Sequence, residues 1–142
     1  ITACVYFILW LGAWRQLLGD HDGICIMSIG FMMSRCLSGI GVIIFPKART
    51  DGTVAEFSRN ASEIVARNVL IVMFAALAVL MIWINPVRGV LAAGTALLVF
   101  WWYHHMAMKY FGGTTGDLSG FFLCICEVVM ALVLGVSGIV VL

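Results

Sequence analysis

An all-α, polytopic membrane bundle is the fold class this sequence predicts, on three observations. Of 142 residues, 63% are hydrophobic and 11% are charged, against about half and about a quarter in an ordinary soluble domain. A soluble domain of this size has too little interior to hide that excess. The apolar residues gather in five long runs, not in the alternation of a membrane β-barrel. Proline, glycine and short polar turns separate the runs. The same numbers exclude a disordered chain and a disulfide-stapled secreted domain. With 8 basic and 7 acidic residues the net charge is +1, so nucleic acid is not an expected partner.

A bilayer core needs about 20 apolar residues per helix. The first run is Ile1 to Leu18; it is apolar from its first residue, with no basic segment before it or small-residue cleavage site after it. That is not a signal peptide, and the chain reads as starting inside a longer protein. Gly19 to Gly23 turns the chain without Lys or Arg. The second run is Ile24 to Phe45, stopped by Pro46. Pro46 to Asn68 is the only long polar stretch, and Glu56 to Arg67 within it suits a short interfacial helix. The third run is Val69 to Ile84, stopped by Asn85-Pro86. The fourth is Val90 to about Met108, and the fifth Leu118 to Leu142. Backbone groups in lipid must bond internally, so each run is a helix. Residues 1–142 read as a single membrane domain. The five cysteines lie in apolar stretches without a C-x-x-C, as free buried thiols do.

Five helices put the long polar loop and the Lys109–Asp117 loop on one side. Lys47, Arg49, Arg59, Arg67 and Lys109 lie there, against Arg15 and Arg88 opposite. The basic excess marks the first side as cytoplasmic.

The string Gly112-Gly113-Thr114-Thr115-Gly116-Asp117 is the most informative. Glycines let a backbone approach a ligand closely, and such a loop before a helix N-terminus suits phosphate. Asp117 could hold Mg²⁺ bridging phosphate oxygens. The alternative is a tight turn in which Asp117 caps the last helix. Asp117, Gly120, Cys124 and Glu127 then follow at helical spacing on one stripe. Glu127 lies about 15 Å into the run, and Arg35, beside Ser34, is far from either end of its own run. Intramembrane charges mark functional interiors, and arginine suits phosphate. A mutual Arg35–Glu127 ion pair is the alternative use of both. Pro46 to Gly52, with Lys47, Arg49 and Asp51, reads as an anion clamp or as an ordinary basic loop. His104 and His105 read as part of an interfacial aromatic belt, because neighbouring side chains diverge by about 100° on a helix. Asp20-His21-Asp22 reads as a solvated turn.

The string Gly112 to Gly120 resembles the G-G-x-T-G-D-x-L-G-A signature of cobalamin-5'-phosphate synthases, the adenosylcobinamide-GDP ribazoletransferases. Glu127 matches a glutamate ten residues past the motif aspartate, and Ser34-Arg35 matches an upstream Ser-Arg pair. Ala48-Arg49 with Asp51-Gly52 matches a further element of that family. The likeness spans about Ser34 to Glu127. Ser119 stands where the motif has Leu and Phe121 where it has Ala. The family's acidic D-G-x-x-D-x-x-D-G string is absent, so the resemblance implies a C-terminal portion. Alone it would be inactive, completed by an N-terminal half or by an oligomeric partner.

The resemblance implies a multi-pass inner-membrane transferase with Mg²⁺ as cofactor, its active site facing the cytoplasm. It joins adenosylcobinamide-GDP to α-ribazole, or its 5'-phosphate, and releases GMP. It implies Asp117, Arg35 and Glu127 as catalytic, with Asp117 on the metal. Ser34, Arg49, Asp51, Lys109, Gly112, Gly113, Thr115 and Gly116 would bind substrate. The general base would lie in the absent acidic string. The competing class is a small transport or channel subunit using Arg35 and Glu127, and it leaves the glycine loop unexplained.

Overall fold

A computed structural model describes residues 2–45 and 55–141. The chain is helical as the runs require: α1 (Thr2–Leu17), α2 (His21–Ile44), α3 (Ala55–Ile84), α4 (Pro86–Met106) and α5 (Gly116–Val141). A π-helical turn, Ala107–Phe111, extends α4. Among the described residues, three helices, α2, α3 from Ser62 onward and α5, are long and apolar enough to cross a membrane.

Two expectations change at the element ends. The interfacial helix is not separate: α3 runs unbroken over 30 residues. No Gly or Pro occurs between Ala55 and Ile84, so nothing stops the helix where its composition turns apolar. The fourth run continues through the π turn to Phe111, where Gly112 (φ +64°) breaks it in the left-handed region.

The α1–α2 turn is closed by Gly19 at φ +102°. Between α3 and α4, Asn85 caps the new helix by accepting from the Arg88 amide, and Pro86 sits in its first turn. A Cβ on Gly89 would stand 2.5 Å from the Met81 carbonyl oxygen, so only glycine lets α4 fold back this tightly.

α5 is the hub: it packs against α1, α2 and α4, while α3 lies against α2 and α4. Its buried positions Phe122, Cys126, Met130, Ala131 and Leu134 form one stripe. On α2, Ile26, Met27, Met33 and Leu37 join the same core. α2 and α5 run antiparallel, because Ser38 meets Ser119 and Ser34 meets Glu127. The 109–117 turn therefore lies at the C-terminal end of α2. Asp20, Arg88 and Gly138 meet at the opposite end.

Candidate functional site

The glycine turn is held by its own hydroxyls. Thr114 is buried and shares a 2.5 Å hydrogen bond with the Tyr103 hydroxyl. Tyr103 is itself locked by ring contacts with Phe45 and Phe122, at 5.6 and 4.9 Å between centroids. Thr115 caps α5: its Oγ1 accepts from the Leu118 amide at 3.3 Å. Asp117 is thus not the cap; it stands exposed in the first helical turn. A helix N-terminus favours that negative charge. Among the described residues Asp117 has no hydrogen-bond or ion-pair partner, and its carboxylate is open to a ligand.

Gly113 is buried, whereas Gly112, Thr115 and Gly116 are exposed. A Cβ at Gly112, Gly116 or Gly120 would meet nothing within 4 Å. Only Gly112 needs a glycine backbone; at Gly116 and Gly120 the missing side chain leaves open surface. Lys109 is exposed in the π turn, its ammonium 5.5 Å from the centre of the Tyr110 ring.

The second group lies on facing stripes of α2 and α5. The single Ser34 hydroxyl proton is shared between two acceptors, the Phe31 carbonyl at 2.9 Å and Glu127 Oε1 at 3.4 Å. Arg35 Nη2 stands 3.7 Å from Glu127 Oε1. Glu127 keeps only 10% of its side chain exposed, and Arg35 keeps 65%. The structure therefore brings Ser34, Arg35 and Glu127 together, on the helix that Asp117 opens. It does not bring Arg35 against Asp117: ten residues of α5 separate Asp117 from Glu127, about 15 Å along the axis. Gly120 and Cys124 lie exposed between them. The two groups form a stripe along one flank of α5, not a single compact pocket. Arg49 and Asp51 lie outside the described residues.

Sequence reasoning missed the link between the groups. Ser38 and Ser119 hydroxyls meet at 2.5 Å, both buried. Ser119, the departure from the motif, is thus matched by a partner on α2. The signal was present as Ser34 and Ser38, one helical turn apart. Sequence reasoning also missed Asp20, which is not solvated but ion-paired with Arg88. His104 lies against Phe45 and His105 against Trp101, as an aromatic belt requires.

Among the described residues, no three His, Cys, Asp or Glu side chains converge as a metal cage. Asp117 offers the one carboxylate of the turn, and it is exposed. Mg²⁺ commonly takes one or two carboxylates plus substrate phosphates and water, and this donor set fits that use and no fuller one.

Replacing Thr115 by Ala removes the α5 cap and is expected to cost about 1 kcal/mol. Thermal unfolding in detergent should fall by roughly 2–4 °C, and Ser should restore it. An unchanged melt would show that the hydroxyl does not hold the helix end.

A family model described as cobalamin-5-phosphate synthase matches residues 1–135. An adenosylcobinamide-GDP ribazoletransferase of Lachnoclostridium phytofermentans is 36% identical over 132 residues, 93% of this chain and 50% of the relative. One of Pseudomonas syringae pv. tomato is 27% identical over 138 residues, 94% of this chain and 53% of the relative. The chain thus spans about half the length of these curated relatives. No solved structure matches it significantly.

Proposed function

The chain belongs to the cobalamin-5-phosphate synthase family, and from that premise we propose that it forms part of an adenosylcobinamide-GDP ribazoletransferase. The observation that carries the reading is the flank of α5. It opens on an exposed Asp117 in a glycine turn and ends on Glu127, paired with Ser34 and Arg35.

The reaction is a displacement at phosphorus. A hydroxyl of α-ribazole, or of its 5'-phosphate, forms the new P–O bond to the cobinamide phosphate. The pyrophosphate P–O bond breaks and GMP leaves. The hydroxyl proton passes to a base outside this chain. Such transfers depend on positioning and on neutralising charge. Asp117 would hold Mg²⁺, which when bound neutralises the phosphate oxygens. The exposed Gly112 and Gly116 backbone lets a phosphate or ribose come close, and Thr115 fixes that backbone by capping α5. Lys109 adds a cation beside the turn. Arg35 neutralises the pyrophosphate deeper on the flank, and Glu127 with Ser34 fixes the guanidinium. Arg49 and Asp51 follow the family pattern as substrate contacts. The proposed setting is the inner membrane, with the glycine turn on the cytoplasmic side, the side to which the basic excess of the sequence assigns it.

The test is GMP release from adenosylcobinamide-GDP and α-ribazole by membranes holding the full-length protein. Release that needs Mg²⁺ and vanishes without the acceptor is expected. Absence of release with either acceptor, or full release in excess chelator, overturns the assignment.

A further inference from the structure

The exposed faces of this bundle differ in chemistry. α3 shows Val72, Val79 and Trp83 outward, and no charge occurs between Asn68 and Ile84. Lipid asks for no more than that. The outward face of α2 carries Cys25, Ser28, Met32 and Arg35, spaced by three, four and three residues. Ser28 satisfies itself on the Ile24 carbonyl at 2.8 Å. Arg35 does not. Its contact with Glu127 at 3.7 Å is longer than a hydrogen bond, and its side chain is 65% exposed. Nine residues separate it from the end of α2 at Ile44, about 14 Å, and its start is farther. A guanidinium at that depth against lipid is costly by every measure, so such groups face protein or water.

We propose that this α2–α5 face seats a further membrane-spanning helix that sets a carboxylate opposite Arg35. The helix would come from the half of the family's length that this chain does not span. The 132 matched residues are 50% of the Lachnoclostridium relative, so about as many again lie outside and hold room for several spans. Charge selects the partner, since Arg35 has donors left over and Glu127 is already shared with Ser34. Surface shape agrees: exposed Gly120, one turn into α5 beyond the glycine turn, admits a close backbone. The part of α3 beyond Asn68, uncharged and apolar outward, is left for lipid. The inference rests on the place of Arg35 in the membrane and not on the reaction, so either can fail without the other.

The test places a benzophenone amino acid at Met32, with Ser28 as a second site and Val72 on α3 as control, in membranes holding the full-length protein. After irradiation, peptide mapping identifies the adducts. Met32 and Ser28 should join an apolar peptide from outside residues 1–142 that contains Asp or Glu, while Val72 gives lipid adducts. Arg35→Glu should lower the Met32 adduct about tenfold or more, because like charges would then face each other. Changing the partner's acid to Arg in that background should restore it. Lipid adducts alone at Met32 and Ser28, or adducts to a second copy of residues 1–142, overturn the proposal. So does an Arg35→Glu variant that crosslinks as the parent does.

Discussion

Changing Asp117 to Asn is expected to lower GMP release by about 100- to 1000-fold, the usual effect of removing one preorganised electrostatic group at a transferring phosphoryl centre. The two side chains have the same shape. Asp117 is exposed and touches no described partner, so packing should not change. Loss of an acid from the first turn of α5 costs only about 0.3–1 kcal/mol of helix-dipole stabilisation. Thermal unfolding should therefore shift by no more than a few degrees while turnover falls by orders of magnitude. Raising Mg²⁺ should recover part of the rate, because the variant weakens metal binding before it removes it. Turnover within about threefold of the parent, at unchanged Mg²⁺ requirement, would remove Asp117 from the metal site. Glu127 would then be the acid left to examine on that flank.

What the sequence revealed and what it withheld divide along range. Helices in lipid follow from local composition, and five apolar runs became five helices. Charge depth was local too: Arg35 and Glu127 stood out because each sits far inside an apolar run, and they meet across α2 and α5. Errors came where local reading replaced a physical stop signal. A change from polar to apolar composition near Asn68 was read as an element boundary, yet no residue there breaks a helix. In the turn before α5, Asp117 was the cap that the sequence suggested. Thr115 won because the helix begins at Gly116, which puts Thr115 at the position whose side chain reaches the third free amide.

The larger omissions needed contacts between residues far apart in the chain. Ser119 looked like a flaw in the motif until Ser38, 81 positions away, appeared against it. Two hydroxyls that satisfy each other can stand inside an apolar interface at little cost, whereas one alone could not. A neighbour on another helix thus explains a departure that the motif alone reads as damage. The distance between Asp117 and Glu127 was readable as helical rise, and the structure keeps it: the two acids stand about 15 Å apart along one flank of α5.

Asp20→Ala should be the most destabilising single change at the end of the bundle away from the glycine turn. Arg88 is buried in the first turn of α4, where the helix dipole already opposes a cation. The Asp20 carboxylate sits at the N-terminal boundary of α2, yet it makes no cap there and is spent on Arg88 instead. Arg88 Nε has no hydrogen-bond partner among the described residues, so Asp20 carries most of the compensation for that buried charge. Gly138 of α5 leaves both groups room, each 3.8 Å from where a Cβ would stand. The pair therefore ties the α1–α2 turn and the α3–α4 turn against the end of α5. Removing only the acid leaves an unpaired charge, at a cost of about 3 kcal/mol. A melt lowered by roughly 6–12 °C is the expected reading. Replacing both residues by apolar ones, Asp20→Leu with Arg88→Met, should recover much of that loss, because the unpaired charge is then gone. A double variant that melts no higher than Asp20→Ala would show that the carboxylate serves the turn itself and not the buried guanidinium.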